Sequence, residues 1–171
     1  EEFRDGFKSR APSAAEVETL AAVGAAVDHL NNERRRHITG QMGGQPVRFA
    51  KRRVIRIGEM ETQLDIAGGN GKPMLASFGA ANGRDRTLDI VSTWWPGDPI
   101  WSGRVGDEDV SIQVRPILNG YELSWRGITV PVRVYTVREA ELATLMPLKA
   151  GADLSKFLVC PMPGLVKAIS V

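Results

Sequence analysis

Few residues of this chain have chemistry to offer: two histidines (His29 and His37), one cysteine (Cys160) and two basic runs. The histidines stand eight apart, and no cysteine or carboxylate cluster at ligand spacing surrounds them. A solvated or hydrogen-bonded histidine is therefore the expectation, not a metal site. Cys160 has no histidine close in sequence to draw off its proton, so it reads as a strand residue rather than a nucleophile. Arg34-Arg35-Arg36 and Lys51-Arg52-Arg53 lack the interleaved aromatics of a nucleic-acid surface, and the net charge is only +2. They read as solvated or protein-interface charge. The loop Gly68-Gly69-Asn70-Gly71 has no Lys-Ser/Thr after it, which argues against a phosphate cradle. Trp94, Trp95, Trp101 and Trp125 read as core aromatics rather than a ligand pocket.

The elements that position these residues begin with one long helix, Ser13 to Thr39. Ser13 and Glu16 form a Ser-x-x-Glu capping box that satisfies orphan N–H groups of the first turn, and Gly40 stands just past the far end. Large apolar residues recur at helical spacing from Val17, while Ala21, Ala22, Gly24, Ala25 and Ala26 fill the other faces. No charge stands between Thr19 and Val27. A surface helix has one apolar stripe and a polar back; this one is apolar all round and must be wrapped by the rest of the chain. After Asp28 the composition turns polar, and three arginines suit the negative end of the macrodipole. The second half therefore projects toward water or a partner.

Beyond a glycine-containing loop, short strand-like runs follow at roughly 8–12-residue spacing, the pattern of an antiparallel sandwich or barrel. They begin at Val47-Arg48-Phe49 and Val54-Ile55-Arg56-Ile57 and end with Tyr121 to Trp125 and Ile128 to Val134. Asn119-Gly120 predicts a type I′ hairpin turn. Thr136 and Glu139 predict a second capping box, on a short helix to about Leu145 that Pro147 ends. About eight antiparallel strands avoid exposed edges by closing. An eight-stranded barrel has little interior room, and a helix is about 10–12 Å across with its side chains. The alanine and glycine content supplies the slimness such a helix needs. The fold class expected is α+β, mainly β: an eight-stranded antiparallel barrel around a long central helix.

The bulk numbers agree with a globular chain of about one domain: 171 residues, 43% hydrophobic and 25% charged. A single cysteine excludes an internal disulfide framework and weakly favours a reducing compartment. No apolar run approaches the roughly 20 residues of a membrane span, and no signal segment opens the chain. The start at Glu1-Glu2-Phe3 and the strand-like end at Val171 read as a piece of a longer polypeptide.

Cys160-Pro161-Met162-Pro163-Gly164 followed by Leu165 to Val171 resembles the opening strand of biotinyl carrier domains. Thr87 to Trp94, and Val134 to Leu142, look like the BT domain of propionyl-CoA carboxylase α subunits. Glu1 to Phe7 is similar to the exit from their biotin carboxylase domain. The resemblance covers almost the whole chain in the right order. It implies residues 1–12 as that exit, 13–147 as the BT domain, 148–157 as a linker and 158–171 as the first carrier strand, with Pro161, Met162, Pro163 and Gly164 as its motif. It implies a barrel around a helix and a hook onto a carboxyltransferase β subunit, matched here by Arg36, His37, Ile38, Gln41, Met42 and Val47. It further implies a parent enzyme that uses biotin, ATP and Mg²⁺ or Mn²⁺, cytoplasmic if bacterial and mitochondrial if eukaryotic. The biotin-accepting lysine, in a Met-Lys-Met context, lies beyond the carrier motif in that family and is absent here. This piece is thus expected to carry neither the biotin arm nor a catalytic site, nor any nucleic-acid or membrane partner. Two other readings stand beside it: a small barrel that binds an apolar ligand, and the same module from another acyl-CoA carboxylase, such as methylcrotonyl-CoA carboxylase.

Overall fold

The computed structural model describes residues 10–38, 48–69, 72–79 and 86–146, with the backbone alone at His37 and Ile38. The first element is α1, Ala14–Ile38, close to the expected span. Its capping box forms as expected. The Ser13 N–H donates to Glu16 Oε2 at 2.8 Å, and the Glu16 N–H donates to Ser13 Oγ at 3.4 Å. Arg10 donates to the same carboxylate at 3.0 Å. Chiefly through Arg10, and then through Ser13, the Glu16 carboxyl is pulled down to about 2.

Eight strands follow: β1 (Arg52–Ile57), β2 (Met60–Gly69), β3 (Lys72–Phe78), β4 (Arg86–Ser92), β5 (Ile100–Val105), β6 (Glu108–Ile117), β7 (Gly120–Trp125) and β8 (Ile128–Tyr135). Each pairs antiparallel with its sequence neighbour, and β8 returns to β1 with Val54 opposite Tyr135 and Ile57 opposite Val132. The result is a closed barrel, as expected. Side chains alternate inward and outward as a pleated strand requires: Val110, Ile112 and Val114 of β6 point in while Ser111, Gln113 and Arg115 point out.

The barrel's interior belongs to α1. Every residue from Leu20 to Val27 is buried, and none has a side chain larger than leucine. The helix packs against β1, β2, β3, β4, β5, β7 and β8, which only a rod inside the ring can do. This leaves the lumen to the helix rather than to an apolar ligand. Gly24 marks the tightest approach: a Cβ there would lie 2.8 Å from Val132 Cγ1.

A short helix, α2 (Val137–Ala143), lies on the outside, opened by the expected capping box of Thr136 and Glu139. Its Ala140 packs with Val54 of β1 and Tyr135 of β8. It therefore covers the seam where the last strand meets the first.

Four details differ from expectation. The turn between β6 and β7 is not type I′ at Asn119-Gly120. Its central residues are Leu118 and Asn119, and of these only Asn119 has positive φ, at 57°. Gly120 already belongs to β7, where a Cβ would stand 2.2 Å from the Val132 carbonyl oxygen. Its glycine answers to a close strand approach, not to the turn. The turn with two positive φ values, 49° and 76°, joins β7 to β8 at Arg126-Gly127, as type I′ geometry requires. Second, Arg48 to Ala50 form no strand. Continuing the β1–β2 register would set them opposite Ala67 to Gly69, where β2 is irregular. Third, α2 stops at Ala143, two residues short of the expected Leu145. Fourth, Trp94, Trp101 and Trp125 are buried as expected, but Trp95 is 68% exposed. Strand β4 ends at Ser92, so both neighbouring tryptophans ride a turn that sends one indole in and the other out. The linker and the carrier strand expected at 148–171 lie outside the described residues.

Replacing Gly24 by alanine adds a methyl against Val132, a stiff β-branched side chain in a fully buried wall. Overpacking of this kind costs about 1–3 kcal/mol, against about 1 kcal/mol gained in helix propensity. Urea denaturation of Gly24→Ala should show a net loss of stability. Pairing it with Val132→Ala should give a coupling of about 1 kcal/mol or more in a double-mutant cycle.

Candidate functional site

The uncharged rod ends at Val27, and the next two turns of α1 emerge from the mouth of the barrel. A charged or polar group at such a rim must find a partner, because desolvation without one is costly. Here Asp28, His29, Asn31 and Arg34 each find a different part of the wall. Asp28 Oδ2 accepts from Arg53 Nε of β1 at 2.8 Å and from Asn32 Nδ2 at 2.8 Å. The Arg53 side chain is only 3% exposed, and it also donates to the carbonyl oxygens of Ala50 and Arg52. Asn32 Oδ1 in turn accepts from Arg35 Nη1 at 3.3 Å. His29 Nε2 lies 3.0 Å from the Gly68 carbonyl oxygen at the end of β2, so this ring nitrogen carries the proton.

Two strands round the ring from β1, Asn31 Nδ2 donates to the hydroxyl oxygen of Tyr121, at the start of β7, at 3.0 Å. Burial, with the Asp28 charge adding to it, pushes the Tyr121 phenol up to about 12. Arg34 Nη1 donates to the Pro96 carbonyl oxygen at 2.9 Å, which brings in the loop between β4 and β5. Arg36 pairs with Glu33 one turn back at 2.9 Å. A cavity of about 350 Å³ opens beside this collar, with Asp28, Arg35, Phe49, Arg53 and Glu139 among its walls. These polar groups spend their hydrogen bonds on fixing the helix end against β1, β2, β7 and the β4–β5 loop.

Of the six residues expected to form a hook, Arg36 is half-buried in its ion pair with Glu33, and His37 and Ile38 close the helix backbone. Gln41, Met42 and Val47 lie outside the described residues, as do Pro161, Met162, Pro163 and Gly164. His29 is hydrogen-bonded, in line with the sequence. The basic run Lys51-Arg52-Arg53 divides: Arg52 pairs with Asp65 at the surface at 3.1 Å, whereas Arg53 is buried against Asp28. Asp28, Asn31, Asn32 and Tyr121 were not singled out from sequence. One signal was available. Asp28 is the first charge after a long uncharged stretch, and Asn32 follows it at the i,i+4 spacing of helix neighbours. Among the described residues no helix is long and apolar enough to cross a membrane.

The family model described as the propionyl-coenzyme A carboxylase BT domain matches residues 20–149. The chain is 30% identical over 172 residues to the propionyl-CoA carboxylase alpha chain of Ruegeria pomeroyi, an alignment covering 100% of this chain and 24% of that protein. It is 25% identical over 173 residues to the mitochondrial propionyl-CoA carboxylase alpha chain of Mus musculus, covering 99% of this chain and 23% of the other. The chain thus spans about a quarter of the length of the curated relatives it matches.

Removing the carboxylate of Asp28 strands a buried guanidinium. Asp28→Ala should destabilise the chain by about 3 kcal/mol, and the joint replacement Asp28→Leu with Arg53→Met should restore most of it, because apolar pairs often match buried ion pairs. Denaturant midpoints of the three variants check this. For Tyr121 the folded pKa of about 12 exceeds the ordinary 10.0, so the folded form holds the proton more tightly. Its contribution to stability is complete below pH 10 and disappears as pH rises to about 12. Unfolding free energy should therefore decline across that window, with a shallower decline in Tyr121→Phe. The phenolate absorbance step near pH 12 should vanish in the same variant.

Proposed function

The chain belongs to the propionyl-coenzyme A carboxylase BT domain family, and on that premise we propose that it is the joint of a biotin-dependent carboxylase α chain. Residues 13–147 form the BT domain. Residues 1–12 lead out of a biotin carboxylase domain, 148–157 are a linker, and 158–171 open a biotin carrier domain. The joint holds the carboxylase and its carrier on a carboxyltransferase β subunit. The parent enzyme carboxylates biotin with ATP, a divalent cation and bicarbonate, and passes the carboxyl to propionyl-CoA.

The observation that carries this reading is the collar. Asp28, His29, Asn31 and Arg34 of α1 bond to the wall, to the side chains of Arg53 and Tyr121 and the carbonyls of Gly68 and Pro96, just before the segment matched to the hook begins. Pre-organised contacts lose less conformational freedom on binding and so hold more tightly. The benefit to the enzyme is proximity: a tethered carrier meets the second active site at an effective concentration of about mM. None of the six lysines lies between methionines, so the residues present do not fit a biotin attachment point. We place that lysine, and the ATP site, elsewhere on the parent polypeptide. The location follows the host, cytoplasmic in a bacterium and the mitochondrial matrix in a eukaryote.

Replacing Ile38 and Met42 together by aspartate in the full α chain should weaken association with the β subunit at least tenfold and leave the melting temperature of the α chain unchanged. Undiminished co-purification of the two subunits would count against the hook assignment.

A further inference from the structure

The cavity beside the helix end, about 350 Å³, has the volume of a small-molecule site. Its walls carry hydrogen-bond donors that no described residue accepts from. Arg53 is 3% exposed. Its Nε and Nη1 are bonded to Asp28, Ala50 and Arg52, while its Nη2 has no acceptor among the described residues. Tyr121 is 9% exposed. Its hydroxyl oxygen accepts from Asn31, and its own proton goes to no group of the described residues. Burial holds that phenol up at about 12, so at neutral pH it is a donor. Arg35 donates once, to the neutral amide oxygen of Asn32 at 3.3 Å, and no carboxylate of the described residues pairs with it. A buried donor left without an acceptor is costly, and all three of these groups line the one cavity.

The carboxylates in the same walls are already engaged. Asp28 Oδ2 takes both Arg53 and Asn32, and Arg53 offsets its charge. Glu139 Oε2 takes the Thr136 N–H at 2.7 Å. Glu139 is also exposed, so water and salt screen its charge. One guanidinium charge, that of Arg35, is left uncommitted. A monoanion matches it, whereas a dianion brings twice the repulsion from Asp28 and Glu139 for the same single cation. A planar carboxylate fits the fork of a guanidinium. The remaining wall is apolar at Phe49, Ile117 and Val134, which suits a hydrocarbon body rather than a bare ion.

We propose that this cavity binds a small monocarboxylate with a short apolar body, its carboxylate held by Arg35 and by the free donors of Tyr121 and Arg53 and its body lying against Phe49, Ile117 and Val134. The site is independent of the joint reading: it needs no partner subunit, and every group it uses is in the described barrel and helix end.

The test uses this chain, whose barrel closes around its own helix, and isothermal titration at constant ionic strength with three probes: hexanoate, hexanamide and inorganic phosphate. Hexanoate should bind at a single site with a dissociation constant of about 10 mM or tighter, and the other two should bind more weakly. Arg35→Gln should weaken hexanoate about tenfold or more and leave the melting temperature unchanged, because the Arg35 side chain is exposed. Tyr121→Phe should weaken it several-fold. Hexanoate should also give a tyrosine difference spectrum that this variant lacks; the chain has two tyrosines, and Tyr135 is the internal control. Absence of saturable hexanoate binding would overturn the site. So would binding that survives Arg35→Gln at full strength, which would place the ligand elsewhere. Equal affinity for hexanamide would reduce the site to an apolar dent, and tighter binding of phosphate would replace the monocarboxylate; either result sinks the proposal.

Discussion

Space inside the ring governs this molecule. Eight strands close around an interior that their own side chains would fill, and a helix can enter only where both surfaces give up bulk. On the helix side the concession is Ala21, Ala22, Gly24, Ala25 and Ala26. On the wall side it is close contact, down to Val132 lying where a Cβ on Gly24 would have to go. What the barrel receives in return is a continuous core. Leu20, Val23 and Val27 reach outward into side chains from opposite walls, so strands that never pair with one another share the same apolar filling. Burial on all sides makes the rod part of each wall's packing at once. Such a core resists local loosening better than a sheet covered on a single face.

That constraint also decides where polarity resumes. The rod can carry no charge while it is enclosed, and it must acquire hydrogen-bonding groups once it leaves. Asp28 is the first, and its partner Arg53 is nearly as buried as the core. The ring of bonds from Asp28 to Arg35 is the boundary condition of the plug, and it has a directional consequence. A helix held by β1, β2, β7 and the β4–β5 loop cannot swing, so a partner that engages its tip engages the whole barrel as one body.

Much of this was legible from residues alone, for a physical reason. A run without charge on any face has one place to go, and the small side chains within it say that the place is narrow. Both capping boxes were legible because they are local, their partners three residues apart. The outer parts of the site were not. Arg53 looks like its neighbour Arg52, and only the closure of the barrel tells which of the two faces the helix. Asn119-Gly120 resembles a turn, yet the glycine at 120 serves the backbone of β8, a neighbour in space that local reading does not see. Trp95 was assigned inward with the other tryptophans because hydrophobicity has no direction until the strand end at Ser92 fixes it. Long-range register is the common missing ingredient.

The placement of α1 ahead of the strands bears on how the barrel is made. During synthesis the rod leaves the ribosome before the wall that encloses it, which is completed only at Tyr135, about 100 residues later. At about 5–20 residues per second the nascent chain carries an uncovered greasy cylinder for roughly 5–20 s. Its alanines let it hold some helix unaided, but short helices in water are marginal. The strands must therefore gather around it as they emerge, or a chaperone must shield it until they do. Translation speed across β1 to β8 becomes a determinant of yield.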